Sequence, residues 1–209
     1  MQILNHIQSS EEYLKKKKEE AAIRWYAARV TYGRAKTVYD SLMDLSAEAG
    51  ITPYLPVTKK QVCRIVDGKP FMEVEEKPVH AGLLFVRSSY GNYRKLVREA
   101  QNIPGFTPFY DHFSTSSTGK NDYLAVPDRR FESFRCIIES GHEDILIDQD
   151  QMPAYLSGKR VRVVGGVFEG VEGTLLKWKH QRRVFVDLGQ FGKYGTGYIR
   201  TCDFEIIND

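Results

Sequence analysis

Cysteine is scarce in this chain. Three thiols, Cys63, Cys136 and Cys202, are spread over 209 residues, too few, too far apart and odd in number for a disulfide framework. That scarcity points to a reducing compartment. There is no Cys-x-x-Cys, and the five histidines at 6, 80, 112, 142 and 180 are scattered, so no metal-ligand spacing emerges. A phosphate-cradling Gly-x-x-x-x-Gly-Lys is also missing. His112 beside Asp111 and His142 beside Glu143 are adjacent pairs in loops, which do not make an acid/base site. The expectation is a protein that is not an enzyme and needs no cofactor or metal. No apolar run reaches about 18 residues, and the polar N-terminus lacks a signal-peptide core, which predicts a cytoplasmic protein without a membrane span. Excess charge is lacking too. Thirty basic residues face 27 acidic ones, for a net +3, so any nucleic-acid contact must come from a local patch.

What is present is a sequence of short elements. Residues 1–24 form a polar extension in which Ser9-Ser10-Glu11-Glu12 fits a capping box before a helix over Tyr13 to Ile23. Trp25 to Thr31 reads as a strand. After Gly33, apolar residues at Ala35, Val38, Leu42 and Leu45 recur at helical spacing until Gly50. Pro53 and Pro56 keep Ile51 to Val57 extended. Gln61 to Val66 and Phe71 to Glu75 flank Asp67-Gly68, a hairpin signal. Leu83 to Val86 is near-continuously apolar and predicts a buried central strand. Tyr93, Leu96, Val97 and Ala100 mark a second helix. Strands follow at Phe106 to Tyr110 and Tyr123 to Val126. Pro127 opens a third helix with Phe131, Phe134, Ile137 and Ile138 on its inner face.

This order predicts an α+β fold: an N-terminal α/β sandwich with a mostly antiparallel sheet over 25–140. Residues 141–156 contain acids but no Lys or Arg and read as a flexible acidic linker. The tail, 157–209, has nine Lys/Arg against six Asp/Glu. There, the strand Gly158 to Val164 runs into glycines 166, 170 and 173 and a second strand, Thr174 to Trp178. Glycine so placed permits sharp curling, which predicts a sharply curled all-β module with Phe168 in its core. Lys177, Lys179, His180, Arg182 and Arg183 read as a basic hairpin tip. The chain is read as a monomer.

Several of these segments also resemble a known family. Trp25-Tyr26, Tyr54-Leu55-Pro56, the stretch Lys77 to Val86 and Ile103-Pro104-Gly105-Phe106 resemble, in this order, the N-terminal domain of NusG transcription factors. Gly166, Phe168, Gly170 and Gly173 resemble the KOW motif that follows it, which implies that the tail is a small five-stranded β-barrel. The resemblance implies a transcription elongation or antitermination factor gripping the clamp helices of RNA polymerase, with Tyr26, Tyr54, His80, Leu83 and Phe85 in the patch. Where the family usually reads Leu-Phe-Pro-Gly-Tyr, this chain has Val79-His80-Ala81-Gly82-Leu83 and keeps only the glycine. That departure, the N-terminal extension and Val167 in place of a proline point to a specialised bacterial paralogue. The hairpin, with Arg64, Lys69 and Lys77, and the corner carrying Arg29, Arg34 and Lys36 would lie towards the non-template DNA strand. Phe191-Gly192-Lys193 resembles the family's Phe-Gly-Arg loop, which contacts termination factor Rho or a small-subunit ribosomal protein; an exposed Phe191 would be its anchor. The strong strand pattern of the tail predicts no switch to helices. The alternative is a KOW-containing protein associated with the ribosome or RNA.

Overall fold

The computed structural model describes residues 17–18, 21–66, 69–100, 103–115, 121–147 and 157–207. The proposed capping box and most of the N-terminal helix lie outside them, as does the Asp67-Gly68 turn. In chain order the elements are β1 (Ile23–Val30), α1 (Ala35–Ala49), β2 (Thr52–Tyr54), β3 (Val57–Val66), β4 (Lys69–Pro78), β5 (Leu83–Ser89) and α2 (Tyr90–Glu99). There follow β6 (Phe106–Pro108), β7 (Tyr110–Thr115), β8 (Asn121–Tyr123), β9 (Ala125–Val126), α3 (Asp128–Glu139) and β10 (Leu146–Ile147). The tail holds β11 (Lys159–Val163), β12 (Glu172–Trp178), β13 (Gln181–Asp187), β14 (Lys193–Gly195) and β15 (Phe204–Ile206). The fold is mixed α+β, and every strand pairing is antiparallel.

The chain divides into two compact units. One comprises the chain up to Leu55 together with Ala81–Val126; the other comprises Pro56–His80 and Pro127–Asp209. The first is built on a sheet in the order β2-β5-β1-β6, with β9 also paired to β1. Trp25 to Ala28 and Leu83 to Val86 are buried four in a row, as strands covered on both faces must be. Helix α1 buries Ala35, Val38 and Leu42, the stripe its spacing predicts. It ends at Gly50, whose left-handed backbone (φ 61°, ψ 45°) lets its N–H reach the Ser46 carbonyl. The Ser89 hydroxyl caps α2 by accepting from the Asn92 N–H at 3.3 Å. A second ribbon, β7–β8, did not stand out in the sequence.

In the second unit, β3 and β4 pair over ten residues each, a longer ribbon than the sequence pattern marked. The tail forms a six-stranded sheet in the order β10-β14-β13-β12-β11-β15, where five strands were expected. The additional strand, β10, comes from the segment read as a linker: Leu146 pairs with Gly195 and Ile147 with Tyr194. Helix α3 begins one residue after Pro127 and buries Phe131, Phe134, Ile137 and Ile138, as its periodicity requires. Its partner differs from the expectation. It packs on β12, β13 and β14, with Phe134 4.4 Å from Tyr194 between ring centroids, and the Ser133 hydroxyl accepts the Glu172 N–H at 3.0 Å. An apolar stripe states which face of a helix is buried and is silent about which sheet will cover it.

Candidate functional site

Strand alternation sorts the five residues drawn together by the sequence. The β1–β5 register sets Ala27 opposite Phe85 and Arg29 opposite Leu83, and β2 sets Tyr54 opposite Phe85. Trp25, Ala27, Tyr54, Leu83 and Phe85 therefore share one face of the sheet. Tyr26 points to the other, where its ring stacks on Tyr93 of α2 at 4.4 Å and 17°. Burial pushes its hydroxyl pKa upward. Tyr26 is thus a residue of the helix-side core and is not part of the same surface as Tyr54. Phe85 and Leu83 are buried as well, whereas Tyr54, edge-on to Trp25 at 6.0 Å, is half-buried. Two exposed arginines flank this apolar face. Arg87 lies over Trp25 at 5.9 Å and Arg29 over Phe109 at 5.2 Å, cation–π contacts that the sequence order could not reveal.

His80 belongs to the second unit. Its Nε2 is 2.6 Å from the Tyr194 hydroxyl, which itself donates to the Phe191 carbonyl at 2.7 Å. The phenol has one proton and spends it on Phe191, so His80 Nε2 carries the hydrogen and donates to Tyr194.

The glycines of the tail motif serve separate ends. Gly166 and Gly170 have φ of 82° and 89°, which only glycine adopts at no cost, and they turn the chain around Phe168. Phe168 is buried, 5.4 Å from the His142 ring. Gly173 lies in β12, where a Cβ would collide with the Phe185 carbonyl oxygen. The Phe191 expectation is corrected: the ring is 7% exposed and sits in a 3-10 turn over Gly189–Phe191, folded inward over the sheet. Gly192 completes that turn at φ 97°, and Lys193, half-buried, starts β14. A glycine-rich stretch allows a turn tight enough to return the ring to the core, whereas the expectation was an exposed loop.

Arg183 is likewise no part of a basic tip. Its side chain is 6% exposed and donates to Asp144 Oδ2 at 2.7 Å, the Asp144 carbonyl at 2.6 Å, the Thr196 carbonyl at 3.1 Å and Gln181 Oε1 at 2.7 Å. The tip itself is Lys179-His180, both at positive φ (45° and 67°), the hand of a two-residue hairpin turn. In the β3–β4 ribbon, Arg64 pairs with Glu73 at 3.0 Å, Lys59 with Glu76 at 3.2 Å and Lys77 with Glu75 at 3.4 Å, so its cations are largely matched. The ribbon instead exposes Ile65, Phe71, Met72 and Val74.

Among the described residues no group of three or more His, Cys, Asp or Glu could hold a metal ion, and no helix is long and apolar enough to cross a membrane.

Against known proteins, the family profile "NusG: Transcription termination factor nusG" matches residues 23–135, more than half of the chain. No curated protein sequence matches. Similar solved structures include one of NusG from Thermotoga maritima concerned with domain interaction, at 14% identity, covering 90% of this chain and 98% of that one, with a TM-score of 0.43. Another is the MjSpt4:Spt5 complex in conformation A, at 12% identity, covering 88% and 97%, with a TM-score of 0.25.

Proposed function

Since the chain belongs to the NusG family of transcription factors, we propose that it is an elongation or antitermination regulator that binds RNA polymerase at the accessible rim of the sheet face carrying Trp25, Ala27, Tyr54, Leu83 and Phe85, where Tyr54 is half-buried and Arg29 and Arg87 are exposed. The observation that carries this reading is the composition of that face. Trp25, Ala27, Leu83 and Phe85 form a buried floor on β1 and β5, beside which Tyr54 is half-buried and the guanidiniums of Arg29 and Arg87 are exposed. Aromatic centres with arginine rims are the composition of protein-binding hot spots. Tyr26 supports the face from behind, and His80 contributes to the second unit.

On this reading the tail module recruits a second partner, Rho or a ribosomal protein. The buried Phe191 makes the rim around Lys193 and the Lys179-His180 tip its accessible surface. The protein acts by binding, without catalysis.

The test is retention of core RNA polymerase by the immobilised full-length chain. Tyr54→Asp places a charge on the one half-open aromatic of the face and is expected to weaken retention at least tenfold, about 1.4 kcal/mol. The melting temperature should stay within a few degrees. Undiminished retention by a folded Tyr54→Asp protein would refute the assignment of this face.

A further inference from the structure

The β3–β4 ribbon of the second unit forms a two-stranded sheet of its own. Residues paired across the strands share a face, so the register sorts the side chains into two unlike sets. One face carries charge, tied up in the Arg64–Glu73 and Lys77–Glu75 pairs. The other sets Gln61, Cys63 and Ile65 opposite Val74, Met72 and Pro70, and all six are exposed. Ile65 is 78% exposed, Met72 58% and Val74 56%. An antiparallel sheet ordinarily lays its apolar face on a core, and a contiguous open strip of this kind marks an interface. At the end of the strip away from the hairpin tip, on the same face, Lys59 stands directly opposite Glu76 at 3.2 Å.

We propose that this strip is a self-association surface, and that what covers it is the same face of a second copy of this chain. The pattern is complementary to itself. A two-fold axis parallel to the strands exchanges β3 for β4, so Ile65 meets Pro70 of the second copy, Cys63 meets Met72 and Gln61 meets Val74. The same operation lays Lys59 over Glu76 of the second copy and Glu76 over its Lys59, which makes two ion pairs into a square of alternating charge. Strand addition at the ribbon's edges is the poorer route. β3 carries Lys59, Lys60 and Arg64 and no acid, so two β3 edges repel, and β4 has prolines at 70 and 78, which cannot donate to an added strand.

Strand length and spacing give the covered strip on the order of 300 Å² per copy, less than half of the ~800 Å² per partner of a standard interface. The dimer is therefore weak and reversible, with a dissociation constant of about 10–100 μM. Stacked sheets stand about 10 Å apart, and the two-fold places the two Cys63 residues on diagonally opposed strands. Their thiols cannot form a disulfide at that separation, so the association is insensitive to reductant.

Sedimentation velocity of the full-length chain, with reductant, over about 5–300 μM is the test. The expected result is a concentration-dependent equilibrium of monomer and dimer with nothing larger, since a two-fold contact closes. Met72→Glu, at an exposed position, should weaken association at least tenfold. Lys59→Glu alone and Glu76→Lys alone should each do the same, because like charges then face one another across the axis. Mixed in equal amounts, these two variants should form a heterodimer at least as tight as the parent dimer. Loss of the exposed Lys59–Glu76 pair within one ribbon costs little and cannot imitate that result, which requires contact between copies. A monomer over the whole range, a dimer that persists in Met72→Glu, a dimer abolished by reductant, or charge variants that associate no better mixed than apart overturns the proposal. It is independent of the polymerase face: Tyr54→Asp should dimerise as the parent does, so the two readings fail separately.

Discussion

Replacing Arg183 by alanine removes the side-chain tie that adds to the β10–β14 pairing in holding the 144–147 segment on the tail sheet. In the structure this guanidinium makes four hydrogen bonds from an almost fully buried position, two of them to Asp144. Truncation leaves the Thr196 carbonyl without its donor and leaves Asp144 with nothing to hold it against β13. Breaking a fully buried pair costs about 3–5 kcal/mol. Here the Asp144 side chain is 52% exposed and regains water when the arginine goes, which moves the cost toward the value for lost charge-assisted hydrogen bonds, about 2–3 kcal/mol. For a chain of this size each kcal/mol shifts the melting temperature by about 2–4 °C, so Arg183→Ala should melt roughly 4–12 °C lower. Asp144→Asn keeps the backbone carbonyl and a neutral acceptor in place and should cost under about 1 kcal/mol. Arg183→Lys should fall between them, because an ammonium cannot fork to separate acceptors. Calorimetry or circular dichroism gives the melting order, and hydrogen exchange at Leu146 and Ile147 should rise in Arg183→Ala as β10 detaches. An alanine variant melting within about 1 °C of the parent, or one less harmful than Asp144→Asn, would refute the reasoning.

Gly173→Ala sets a methyl against the Phe185 carbonyl and should cost about 1–3 kcal/mol or more, read by urea denaturation. Gly166→Ala, which meets open space but keeps φ at 82°, should cost only about 1 kcal/mol, the backbone term alone. The Lys179-His180 turn holds two ordinary side chains at positive φ, so substituting Asn-Gly there should stabilise the protein by about 1 kcal/mol; an unchanged urea midpoint would count against it. Tyr90 is pushed up to about 12 by burial and by its hydrogen bond to Asp122. Its folded value lies above the unfolded one near 10, so its contribution is complete below about pH 10 and is lost as pH rises toward 12. Tyr90→Phe should remove one late-ionising phenol from an ultraviolet titration and flatten the alkaline fall in stability across that window.

How far the residues announced this structure depended on whether the cause was local. Helix spans, the left-handed stop at Gly50 and the buried runs at Trp25 and Leu83 follow from periodicity and backbone sterics, which a single segment carries within itself. The shared face of Tyr54, Leu83 and Phe85 followed from strand alternation once pairing was known, and the same alternation removed Tyr26 from it. Pairings between distant segments were not visible. Leu146-Ile147 is too short for a period-2 signal, and its surroundings are acidic, so nothing local marked it as a strand. Arg183 stands among other cations in a row, and only the fold shows that it turns inward to Asp144 while its neighbours stay in water. Phe191 was misplaced because a ring beside a glycine-rich turn can face either way, and here the 3-10 turn over Gly189–Phe191 folds it inward over the sheet.

The partnership of α3 with the tail sheet bears on how this protein can be dissected. A boundary drawn where the composition turns acidic, near residue 140, would leave the Phe134 ring behind in one fragment and the Tyr194 ring uncovered in the other. Fragments cut there should be sticky and poorly soluble. A cut just ahead of Pro127 keeps the helix with the strands it covers, yet it still separates the Pro56–His80 ribbon from the unit it belongs to and breaks the His80–Tyr194 hydrogen bond, so no single cut divides this chain cleanly.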